Sequence, residues 1–240
     1  MKRIYSIVLC VLMALALFGC GHKEPEIKGV IAIDPGHQGK LNLEQEPIGP
    51  GAKETKAKVT AGATGVSSGS TEAELVLAIG LKLQKALEEA GYEVVMTRTS
   101  QDVDLSNKDR AEIANEAEAD AFIRLHLNSV NDQSVRGALT VAPSKKNPYL
   151  DEDTITESRS LSKIILKEFC KETKLRNRGV TYSDTMSGIN WCEVPVCIIE
   201  MGFLSNPDED KLLNKEDFQD QCVVGMVKGI DRYMASKEND

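Results

Sequence analysis

The run Val30-Ile31-Ala32-Ile33-Asp34-Pro35-Gly36-His37-Gln38-Gly39 constrains the fold more than any other stretch of the chain. An unbroken apolar segment bounded by Gly and Pro reads as a strand covered on both faces, the kind found inside an α/β sheet. Pro35 has no N–H for a sheet ladder and biases Asp34 towards extended geometry, so the strand is expected to stop there. Gly36 and Gly39 free the backbone to turn around His37. The imidazole therefore falls at the carboxyl end of a core strand, where open α/β sheets place their ligand sites.

The segments that follow alternate between two periods. Residues 41–70 are rich in Gly, Pro, Ser, Thr, Ala and Lys with no apolar repeat, and read as a long loop on the rim of a cleft. Helical spacing begins at a Ser70 or Thr71 cap, with Glu72 and Glu74 in the first turn and Gly91 as the stop. Strands are expected at 92–97, 121–127, 137–142 and 194–200, and helices at 105–117, 158–174 and from Asn206 or Asp208 towards the C-terminus. With 41% hydrophobic residues a sizeable core is affordable. This pattern predicts one three-layer α/β/α domain with a central, largely parallel mixed sheet.

The N-terminus reads as an export signal. Lys2 and Arg3 precede an almost wholly apolar run from Ile4 to Phe18, and Leu17-Phe18-Gly19-Cys20 resembles a bacterial lipobox. The expected organisation is a lipoprotein-type signal peptide over 1–20, a tether over 21–27, a catalytic domain over 28–236 and a tail over 237–240. Acylated Cys20 would anchor the protein to the membrane of the bacterial cell envelope, on its extracytoplasmic side. The formal net charge of −8 becomes −10 once Lys2 and Arg3 leave with the leader, and no basic block remains, which excludes nucleic acid as a partner. Cys170, Cys192, Cys197 and Cys222 form no C-x-x-C pair, so a zinc knuckle has no support. Cys192 and Cys197 could pair or remain buried thiols.

Strands thus run to His37, His126 and Glu200, and a helix opens on Glu72. Two imidazoles and a carboxylate are the donor set of many catalytic zinc sites, and such a site needs a second, free carboxylate to move protons. Taken one at a time, Glu72 could instead be a solvated helix cap and Glu200 a buried carboxylate paired with a base.

Four motifs, in order, resemble those of the zinc-dependent N-acetylmuramoyl-L-alanine amidases of the Amidase_3 type. They are Ile-Asp-Pro-Gly-His-Gln-Gly, Thr-Glu-Ala-Glu-Leu-Val-Leu-Ala-Ile, Arg-Leu-His-Leu-Asn-Ser and Val-Pro-Val-Cys-Ile-Ile-Glu-Met-Gly-Phe-Leu-Ser-Asn-Pro. The similarity spans about 28–233. It implies zinc held by His37, Glu72 and His126, with Glu200 as catalytic base and Asp34 and Asn128 holding ligands in place. Arg124 stands where that family often has a small residue, and Trp191-Cys192-Glu193 replaces its usual Leu-Arg. The implied substrate is peptidoglycan, cut by a monomer at the amide between N-acetylmuramic acid and L-alanine. Another zinc hydrolase acting within the stem peptide, or a non-catalytic wall-binding lipoprotein, are the alternatives.

Overall fold

The computed structural model describes residues 27–237, so the expected signal peptide, Cys20 and nearly all of the tether lie outside the described residues. The first strand, β1 (Val30–Pro35), lies inside a six-stranded sheet between β4 (Glu93–Met96) and β5 (Ala121–Asn128), parallel to both. Next to β5 comes β8 (Val196–Phe203), also parallel, then β6 (Ala138–Ala142) antiparallel to β8, and β7 (Asn177–Tyr182) at the edge, parallel to β6. The sheet is therefore mixed and mostly parallel, as the alternation of strand and helix patterns leads one to expect.

Alternate residues along the central strands serve two different cores, which is the consequence of period-two side-chain geometry. Ile31, Ile33, Ile123, Leu125, Cys197 and Ile199 face the helices α1 (Glu72–Glu89), α3 (Glu152–Thr173) and α6 (Glu216–Lys237). Ala32, Phe122, Val196 and Ile198 face the other way, onto α2 (Asn107–Glu116) and the single-turn α4 (Ser187–Asn190). The first layer is thick and the second thin, so the sheet's second face is only partly covered and leaves room for a cleft. Within the thick layer α6 lies directly on α3. A Cβ at Gly225 would come 2.9 Å from the Phe169 Cα, and one at Gly229 equally close to the Ile165 Cα.

Several elements differ from the sequence expectation. Residues 41–70 are not a plain loop: they contain the antiparallel hairpin β2 (Asn42–Pro47) and β3 (Thr55–Val59). Its residues are mostly polar and only two are buried, so no apolar alternation marks it. Trp191 Nε1 donates to the Pro47 carbonyl at 2.9 Å and pins the hairpin to the thin layer. Helix α3 begins at Glu152, ahead of the expected Ser158, because Asp151 caps it by accepting the Thr154 N–H at 2.7 Å before the apolar stripe starts. The edge strand β7 carries the polar run Asn-Arg-Gly-Val-Thr-Tyr, which has no strand signature. The C-terminal helix is two helices, α5 (Pro207–Leu213) and α6, separated at Asn214 and Lys215. Strand β8 runs on to Phe203 and β5 to Asn128, so Glu200 and His126 stand inside their strands and not at the ends. The four cysteines among the described residues are free thiols.

Candidate active site

The site is built on the turn after β1. Asp34 is fully buried and accepts from Arg110 Nη1 at 2.6 Å, Arg124 Nε at 2.8 Å and the Thr97 hydroxyl at 2.6 Å. Despite complete burial, the two guanidinium groups hold its carboxyl far below the usual carboxylate range. The arginines in turn grip the turn's carbonyls. Arg110 donates to Pro35 O at 3.0 Å and His37 O at 3.0 Å, while Arg98 donates to Pro35 O at 2.8 Å and Gly36 O at 3.0 Å. This clamp holds His37 at φ 56°, a left-handed conformation that a side chain with a Cβ seldom adopts unaided. Gly36 is required for a separate reason: a Cβ there would lie 2.3 Å from the His126 ring.

Three chain segments then converge. His37 Nε2 is 3.2 Å from Glu72 Oε1, and His126 Nδ1 is 3.0 Å from the same oxygen. The rings meet edge to face, with centroids 5.0 Å apart. The neighbouring carbonyl of Thr60 lies 2.9 Å from His37 Nδ1 and orients that ring, the arrangement that leaves Nε2 turned to the carboxylate. Glu72 is itself fixed by backbone, accepting the Leu127 N–H at 2.9 Å on Oε1 and the Ala63 N–H at 2.8 Å on Oε2. Its partner two residues on, Glu74, is exposed and spends its carboxylate on the Thr71 capping box. The register of β5 and β8 sets Glu200 directly beside His126.

The electrostatics separate the two acids. Burial disfavours an ionised Glu72, yet the two imidazoles hold it well below the ordinary glutamate value. Burial also pulls His37 down, but contact with Glu72 outweighs it and the ring's pKa rises; in His126 burial prevails and the pKa falls. Glu200 is pushed up to about 8 by burial and by the charge of Glu72. Its Oε2 atom is buried and has no hydrogen-bond partner among the described residues. An acid held protonated near neutrality and left free to exchange its proton is equipped for acid–base work.

One donor atom from each of His37, Glu72 and His126 falls within a 4.8 Å group, the one such set of three found among the described residues. A carboxylate oxygen shared between two imidazole nitrogens needs a cation between them or protons on the rings. The donor set and spacing therefore fit a zinc ion. Around it open two clefts of about 630 and 380 Å³, both bordered by His37, His126 and Glu200.

Asp34 helps hold the His37 turn in place through Arg110, whereas Asn128 makes no hydrogen bond to the candidate ligands among the described residues. Asp34 reaches His37 only through Arg110, and Asn128 Oδ1 accepts its neighbour's Ser129 N–H at 2.8 Å while the residue lines the larger cleft. The grip of Arg98 and Arg110 on the turn is a tertiary contact that no periodicity marks. In the sequence, Arg110 stands beside Ala111 and Ala114 on the inner side of a helix, and the segments ending at Arg98 and Arg110 also resemble the family.

Residues 31–232 match the family described as Amidase_3, N-acetylmuramoyl-L-alanine amidase. The chain is 27% identical over 240 residues to the N-acetylmuramoyl-L-alanine amidase AmiC of Neisseria meningitidis, with 85% of this chain and 52% of that protein aligned. It thus spans about half the length of that relative. The solved catalytic domain of CwlV, an N-acetylmuramoyl-L-alanine amidase from Bacillus (Paenibacillus) polymyxa var. colistinus, is 28% identical with a TM-score of 0.69, covering 86% of this chain and 98% of that one. The amidase Ami1 from Mycobacterium smegmatis shares the fold at a TM-score of 0.79 and 20% identity, over 89% of this chain and 100% of its own. On the match across these two hundred or so residues, the chain belongs to the Amidase_3 family of N-acetylmuramoyl-L-alanine amidases.

Proposed function

We propose that this protein is a zinc-dependent hydrolase that cuts the amide between the lactyl group of N-acetylmuramic acid and L-alanine of peptidoglycan. The observation that carries the reading is the convergence of His37, Glu72 and His126 beside a buried, partnerless Glu200 carboxyl oxygen. His37, Glu72 and His126 would hold the ion, which when bound polarises the amide carbonyl and acidifies the attacking water. The protein's own steps follow from the geometry. Glu200, ionised once a cation at these residues offsets the charge of Glu72, would take the proton of the water at its carboxylate and later pass one to the departing amide nitrogen. The Leu127 and Ala63 N–H groups keep Glu72 aimed inward through turnover, and the Arg98–Arg110 clamp keeps His37 from relaxing out of its left-handed conformation.

The wider setting belongs to the same reading. The catalytic unit runs over 28–236; residues 1–20 direct export, and acylated Cys20 tethers a monomer to the membrane facing the wall, raising its effective concentration there. Among the described residues no helix is long and apolar enough to cross a membrane. Wall remodelling or lysis is the role we assign.

Digestion of purified peptidoglycan by the full chain, after chelation and with zinc restored, tests this beside Glu200→Gln. Zinc-restored release of intact stem peptides is expected, with Glu200→Gln slower by about 10²–10⁴-fold while still binding zinc. Cleavage within the peptide, or release that ignores chelation, would overturn the assignment; wall binding without release would favour a binding module.

A further inference from the structure

The cleft beside the candidate zinc site has an arginine in its wall that the proposed chemistry does not use. Arg124 lies on β5 two residues before His126, hence on the same face of the strand, and is 3% exposed. It borders the 380 Å³ cleft with His37, His126, Glu200 and Lys56. Two of its nitrogens are committed: Nε donates to Asp34 Oδ2 at 2.8 Å and Nη2 to Asn107 Oδ1 at 2.8 Å. The third, Nη1, has no acceptor among the described residues. It occupies the space where a side chain at 188 would begin, since a Cβ on Gly188 would stand 1.3 Å from it. Asp34 and Asn107 thus lock the guanidinium plane and Gly188 makes room for its free edge at the cleft.

Among the described residues Asp34 is the one carboxylate bonded to both Arg110 and Arg124. Leaving a buried guanidinium N–H without an acceptor is costly, so the uncommitted Nη1 edge favours an acceptor in the adjoining cleft. A planar guanidinium with a free edge suits a carboxylate, and such charge-assisted bonds are among the stronger ones available.

Resting on the amidase reading above, we infer that Arg124 is a specificity-determining residue that reads a carboxylate on the peptide side of the scissile amide. The glycan side offers no such group, because the lactyl carboxyl of muramic acid is consumed in the amide itself. The nearest carboxylate available is the one on the residue that follows alanine. The 380 Å³ cleft therefore receives the peptide, and a substrate whose second residue carries a carboxamide in place of the carboxylate is a poor one.

Two muramoyl dipeptides that differ only in this group, acid against amide, test the inference with the full zinc-loaded chain. The wild type is expected to favour the acid by about tenfold or more in kcat/KM, expressed in KM, the scale of one charge-assisted hydrogen bond. Arg124→Gln should bring the ratio near one, and Arg124→Lys should keep part of it. Should Arg124→Gln not fold, the wild-type ratio and Arg124→Lys still decide. Equal turnover of acid and amide by the wild type overturns the inference, and so does a ratio that survives Arg124→Gln, which would assign the reading to Lys56. Zinc-loaded wild type that cleaves neither dipeptide overturns the amidase reading instead. In that event calorimetric binding of the two forms to Glu200→Gln still tests Arg124, with tighter binding of the acid expected and equal binding against it.

Discussion

Glu72 and Glu74 stand two positions apart in the same first turn and meet opposite fates, one buried between two imidazoles and one spent on a helix cap. Helix geometry places them roughly 200° apart around the axis, so only one can face the sheet. Glu200 shows how environment sets a residue's role. Its folded pKa of about 8 exceeds the ordinary 4.5, so the folded state holds a proton there that the unfolded chain releases. The group's contribution to stability is thus fully present below pH 4.5 and is lost as the pH rises towards 8. Thermal melts of the metal-free protein across that window should lose, on the order of, a few kcal/mol relative to Glu200→Gln. Parallel pH curves for the two proteins would show that Glu200 is not held protonated by its surroundings.

At the scale of elements, the contact between α3 and α6 depends on absent side chains. Gly229 sits where its Cβ would press on the backbone of Ile165 at 2.9 Å, and backbone cannot swing aside as a side chain can. Alanine gains about 1 kcal/mol over glycine in helix propensity, whereas overpacking typically costs 1–3 kcal/mol, so packing should prevail. Gly229→Ala is expected to lower stability by about 1–2 kcal/mol in urea titration, with the catalytic geometry intact. An increase in stability would mean that the helices separate at little cost. The hairpin β2–β3 is the contrasting element, held to the body by a few polar contacts such as Trp191 to Pro47.

Across the whole molecule, the candidate metal ligands come from β1's following turn, the start of α1 and the middle of β5, segments joined only through the fold. An ion held there would bind the native state and not the unfolded chain. Zinc at about a thousand times its Kd should therefore add about 4 kcal/mol of stability, read as a higher Tm that chelation reverses. His126→Ala should abolish the shift. A Tm indifferent to zinc in the wild type would count against a metal at these residues.

The sequence by itself determined the central strands, the long helices packed on them and the three-layer class of the fold. It could do so because burial leaves a local mark: an apolar run for a covered strand, a 3.6-residue stripe for a packed helix. The hairpin and β7 left no such mark, since their residues are mostly polar and few are buried. Nor could periodicity reveal the buried cluster in which Asp34 binds Arg110, 76 residues away, and Arg124, 90 residues away. Only the tertiary structure decided those partners. Polar groups are satisfied by whatever strand register and helix placement bring within hydrogen-bond reach, and that same register set Glu200 against His126.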